Sequence, residues 1–157
     1  MAFNLITDRT TANLTALQQL SAKAYADMTA AEKTQWSGAH KGAYNYTDLN
    51  RVESAVSTLA QQLNAYGYSV RVSVKTNWTM QDVPTEADMA RYLANVSAIR
   101  GVLAVKGSTP QVPADMRGLT ITEANNIERI LYDVEQLILG MAASFTYSNE
   151  IYGGELG

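Results

Sequence analysis

Four stretches of this chain carry apolar side chains at spacings of three and four, and that helical periodicity limits the possible folds more than any other feature. The first runs from Thr11 to Met28, with Leu14, Leu17, Ser21, Ala24 and Met28 near one stripe and Leu20 widening it. The second, Asp48 to Tyr66, lines up Leu49, Val52, Val56, Leu59, Ala60, Leu63 and Tyr66. The third, Glu86 to Val105, carries Met89, Tyr92, Leu93, Val96, Ile99 and Leu103. The fourth, Glu123 to Ala143, carries Ala124, Ile127, Ile130, Leu131, Val134, Leu137, Ile138 and Met141. Stripes of this kind bury against each other, so the expected fold is mainly α: a helical bundle of about four long helices with short connecting helices and a minor β element. A chain of 157 residues fits one domain, read as a bundle over 1–146 and an extended tail over 147–157. The expected core is Val52, Val56, Leu59, Leu63, Val96, Ile99, Ile127, Leu131, Val134 and Ile138.

Helix starts are marked chemically. Thr47, Thr85 and Thr122 stand where a hydroxyl would accept from an orphan N–H, with Asp48, Glu86 and Glu123 following at the positive end of the helix dipole. Thr29 followed by Glu32 reads as a reciprocal capping box. Gly67 reads as the end of the second helix, and Pro84, Pro110 and Pro113 fall between helices. Thr47-Asp48-Leu49-Asn50-Arg51-Val52-Glu53 echoes Thr122-Glu123-Ala124-Asn125-Asn126-Ile127-Glu128. The echo has two readings: convergent helix-start chemistry, or two helices in equivalent roles about a pseudo-twofold axis.

Ser69 to Lys75 alternates strictly and is the best strand candidate. A lone strand leaves backbone groups unpaired. Its partner would be Phe3–Ile6, Phe145–Tyr147 or another subunit. The glycine-rich end with Tyr147 and Tyr152 reads as an extended tail. Val70, Val72, Val74, Tyr147, Ile151 and Tyr152 are therefore the candidate interface residues.

No catalytic, cofactor-binding or metal-binding residue is assigned. His40 is the one histidine, in a polar turn, with no titrating partner near it in sequence, and reads as a surface residue. Cysteine is absent, so thiolate chemistry is impossible, and no Gly-Lys-Ser or Gly-Lys-Thr phosphate loop occurs. Glu123, Glu128, Asp133 and Glu135 read as a solvated helix face, with Arg129 and Asp133 as an ion pair. Lys and Arg never stand side by side and the net charge is −3, which disfavours nucleic acid as a partner. The apolar runs fall short of the ~20 residues of a membrane span, and residues 1–6 lack a signal-peptide pattern. Expression in the cytosol with no membrane partner is expected. Tyr44, Tyr46, Tyr66 and Tyr68 flank the second helix and read as the rim of the bundle.

Ile6-Thr7-Asp8-Arg9-Thr10, Met28-Thr29-Ala30-Ala31-Glu32 before Trp36, and Lys41 through Val52 together resemble a family of small phage and prophage proteins and modules of Firmicutes-type bacteria. Gly67-Tyr68, Lys75-Thr76-Asn77-Trp78, Leu119 through Asn125 and Tyr147-Ser148-Asn149-Glu150 extend the resemblance over nearly the whole chain. It implies a virion structural protein encoded among tail, baseplate or fibre genes, without enzymatic activity or cofactor. The expected function is a structural or adaptor part of a tailed-phage or prophage particle. Other virion proteins would be its partners, in a homo-oligomer or in many copies. The alternatives are a head-associated decoration or connector protein, or a small regulatory binding module.

Overall fold

The computed structural model describes residues 3–156, with the side chains of residue 39 and residues 146–156 outside the description. The chain is mainly helical, as the periodicity requires. Five α-helices occur among the described residues: α1 Thr11–Ser21, α2 Ala30–Thr34, α3 Tyr46–Ala65, α4 Glu86–Arg100 and α5 Ile121–Leu156. Helices α3, α4 and α5 pack against one another in all three pairings and hold the core. All ten expected core residues are buried, from Val52 on α3 to Ile138 on α5.

α1 ends seven residues before Met28, and a short 3-10 turn over Tyr25–Asp27 follows it. Its stripe is shallow: Leu20 is buried, whereas Leu14 is 36% exposed. The helix lies close to the turn before α3, where a Cβ on Gly42 would fall 2.3 Å from the Asn13 carbonyl oxygen. Only glycine fits there. Gly67, at φ 93°, closes α3. Its N–H donates to the Asn64 carbonyl and that of Tyr68 to the Leu63 carbonyl, the paired bonds of a Schellman turn.

The caps correct the expected helix starts in two of three cases. Thr85 caps α4 and shares a capping box with Asp88, and Thr29 does the same for α2 with Glu32. Thr47 and Thr122 instead lie inside the first turn. Asn45 caps α3, accepting from the Thr47 N–H. Thr120 exchanges bonds with Glu123 just before α5. In each segment two capping residues compete, and the earlier one adds two residues of helix. The tail is also corrected: α5 continues through Leu156 where an extended segment was expected. The side chains of Tyr147, Ile151 and Tyr152 lie outside the described residues.

Among the described residues no strand forms, so the expected minor β element is absent. Val70 is buried and Val72 and Val74 pack against the core, so the alternation is real and faces the bundle. Helix side chains bond the backbone of this extended segment at Val70 and Ser73. The Val70 N–H donates to Asn64 Oδ1 at 2.7 Å and Asn64 Nδ2 returns a bond to the Val70 carbonyl at 3.0 Å. Asn95 on α4 does the same for Ser73, at 3.1 and 2.6 Å. In an extended residue the N–H and C=O point to the same side, and an antiparallel neighbour would normally bond both. Here a primary amide, with one acceptor and two donors, replaces that neighbour. Asn64 and Asn95 thus stand where an edge partner would bond Val70 and Ser73, and Val70, Val72 and Val74 pack against the chain's own core.

No helix among the described residues is long and apolar enough to cross a membrane. Leu59 and Leu131 are completely buried. Replacing either by Ala should cost about 2–5 kcal/mol in urea unfolding, as lost burial and a residual cavity add.

Candidate functional site

Two polar clamps on α3 and α5 position the extended segments, and the position of the second segment shapes a cleft. On α5, Asn125 accepts from the Arg9 N–H and donates to the Arg9 carbonyl, both at 2.9 Å. One turn further on, Glu128 accepts the Ile6 N–H at 2.6 Å. On α3, Asn50 holds Trp78 in the same way, at 2.7 and 2.8 Å, and Glu53 accepts the Lys75 N–H at 3.2 Å. In both clamps the asparagine grips one residue, and the glutamate takes the N–H three residues before it. The gripped residue's side chain also reaches the same glutamate: Arg9 Nη2 to Glu128 Oε1 at 2.7 Å, and Trp78 Nε1 to Glu53 Oε2 at 2.6 Å.

Each glutamate also binds an arginine from a helix. Arg51 of α3 meets Glu128 through Nε at 2.9 Å and Nη2 at 2.7 Å. Arg91 of α4 donates to Glu53 and, at 2.5 Å, to the Ser73 carbonyl. Asp48 accepts from Arg9 at 2.8 Å and from Arg51 at 2.5 Å. Arg9, Arg51, Asp48 and Glu128 thus form a neutral group of two guanidiniums and two carboxylates in the interior. Burial opposes charge on Arg51, but its bonds to Glu128 and Asp48 overcome this and raise its pKa above the usual value. The Arg9 guanidinium lies 5.2 Å from the Tyr44 ring centre. Burial pushes the hydroxyls of Tyr44 and Tyr92 up, so the 2.5 Å contact between them is one between neutral phenols.

This corrects the reading of α5 as a solvated carboxylate face. Glu128 is fully buried and Glu135 is 5% exposed. Arg129 and Asp133 do pair as expected, at 3.0 Å, and the Thr109 hydroxyl also donates to Asp133 at 2.6 Å. Glu135 differs from Glu128: its Oε1 is buried with no hydrogen-bond partner among the described residues. His40 is half-buried, and its Nδ1 accepts the Gly42 N–H at 2.9 Å, which ties it to the turn against α1.

The Asn50–Glu53 clamp lays Trp78 down as a buried wall. The loop after it, α4, the start of α3 and the segment from Val112 to Leu119 enclose a cleft of about 1280 Å³. Its apolar lining includes Trp36, Tyr46, Met80, Met89 and Met116. Trp36 is 45% exposed and Met80 58%. Asp82, Glu86, Asp115 and Arg117 add charge to its lining. Asp82 is held below its usual pKa first by the Thr79 N–H, and its ring of bonds closes the turn at 2.7 Å. Aromatic and methionine side chains with a few charges make a surface suited to an apolar protein segment, with methionine adapting to irregular shapes. None of Val70, Val72 and Val74 lines the cleft. Sequence reading missed it because its walls come from distant segments.

Asn50→Ala or Asn125→Ala should each cost about 1–3 kcal/mol in chemical denaturation, since a gripped residue loses two partners. Glu135 gives a pH test. Burial raises its folded pKa above the unfolded value of 4.5, so the native state holds the proton more tightly. Its contribution is fully favourable below pH 4.5 and is lost as pH rises through the folded pKa. Glu135→Gln should therefore be more stable than the parent at pH 7, with the difference shrinking on acidification. Melting curves of both proteins from pH 3 to 8 check this, and a difference independent of pH would contradict it.

No family model, curated protein or solved structure matches this chain.

Proposed function

We propose that this protein is a structural or adaptor component of a tailed-phage or prophage particle, in the tail, baseplate or fibre attachment, and that it works through protein–protein contacts. The observation that carries the contact mode is the cleft beside Trp78, where Trp36 and Met80 present large apolar surface to solvent. Exposed apolar patches framed by polar groups are characteristic of interaction sites, and buried aromatic anchors dominate their energetics. The occupant is an apolar segment of a neighbouring virion protein. The phage setting rests on the family resemblance of the sequence.

Mass spectrometry of purified particles tests the setting: the protein should be present at a fixed copy number. A chain absent from particles, and stable and monodisperse alone, would indicate a regulatory binding module instead. The cleft is tested by Met80→Glu. This exposed change should shift stability by no more than about 0.5 kcal/mol and reduce incorporation into particles. Normal incorporation would remove the cleft from the reading.

A further inference from the structure

α4 lines the cleft along most of its length. Glu86, Met89, Ala90, Leu93, Ala94 and Ser97 face it at helical spacings of three and four, over ~16 Å by the rise of an α-helix. Beyond the first turn, the exposed residues of this floor are Ala90, Ala94 and Ser97, all small. Large side chains from other segments stand around it, with Trp36 and Met80 open to solvent and Met116 half-buried. A low floor among high walls admits the close approach of a second helix. The lining offers little to any other kind of backbone. An added strand needs a row of free N–H and C=O groups. The backbone groups of α4 are used within the helix, and Pro84 and Pro113 have no N–H. A polyproline segment leaves its carbonyls unbonded and needs donors. The polar tips of Tyr44, Tyr46 and Trp78 already bond Tyr92, the Ser37 carbonyl and Glu53. A guest α-helix arrives with its own backbone bonds made and asks only for side-chain contacts.

Charge marks one end of the floor. Asp82 pairs with Lys75 and Asp115 with Arg117, each at 3.6 Å. Glu86, in the first turn of α4, has no ion partner among the described residues, so the lining carries a negative charge in excess. We infer that the occupant of the cleft is an amphipathic α-helix of the partner protein, laid along α4. Its apolar residues, at spacings of three and four, meet Trp36, Met80 and Met116, and a lysine or arginine faces Glu86. This rests on the reading of the cleft as a docking site and adds the form and the charge of what docks. The apolar face supplies the burial, and the cation fixes the register of the helix along α4.

A random library of peptides of about 16 residues, long enough to cover the floor as a helix, tests this by selection for binding to the full chain. Selected peptides should carry apolar residues at i, i+3 or i+4 and i+7 together with a lysine or arginine, and should gain helical circular dichroism on binding. Ala94→Gln raises the floor with a good helix former and should weaken them about tenfold or more. Glu86→Lys should weaken them about fivefold at low salt, and replacing the peptide's cation by glutamate should restore binding to that variant. Both changes are at exposed positions and should leave the melting temperature near that of the parent. Selected peptides that are extended or proline-rich, peptides that bind Ala94→Gln as well as the parent, or no binder at all would overturn the inference. The two readings fail separately. Extended binders, with Met80→Glu still excluded from particles, overturn the helix and leave the docking site. Normal incorporation of Met80→Glu overturns the docking site and the partner with it.

Discussion

The buried carboxylate of Glu128 ties together parts of this molecule that lie far apart in sequence. It joins the Ile6 N–H, Arg9 and Arg51, and so connects the first residues, α3 and α5 in one network. A buried ion pair adds little over an apolar substitute, but removing one partner commonly costs about 3–5 kcal/mol. The network therefore works less as a source of stability than as a constraint on position. Only an arm carrying an arginine at one register neutralises it. Apolar packing alone would let that extended segment slide.

Glu53 does the same for the second arm, with a different choice of donors. Trp78 replaces the arginine of the first arm, so the glutamate is met by an indole N–H and by Arg91 from α4. This substitution has a consequence for the surface. A tryptophan gives a broad apolar wall, and the cleft forms beside it. The polar clamp and the apolar cleft are linked: the first sets the ring plane that the second uses. Lys75 holds its ammonium over that ring, 4.0 Å from its centre.

Much of the architecture was legible because it depends on neighbours in sequence. Helical periodicity located α3, α4 and the buried part of α5, and all ten core residues follow from the stripes. Capping was less legible, since Asn45 and Thr120 could serve as well as Thr47 and Thr122 two residues later. Strict alternation at Val70–Val74 was a sound sign of extended backbone facing a core. It could not reveal that Asn64 and Asn95 would stand in for a strand. The cleft was illegible, because Trp36, Met80, Met89 and Met116 belong to four different segments with no shared pattern.

The sequence by itself determined which segments are helical, which faces are apolar and that Asn50–Glu53 and Asn125–Glu128 are alike, since these follow from spacing along one chain. Only the tertiary structure decided that the likeness is functional within the fold and that Glu128 belongs inside. A glutamate is solvated or buried according to the cation brought to it, and Arg9 comes from 119 residues away. Local rules assign a helix position to such a residue. They cannot assign its dielectric environment, which the assembled neighbours create.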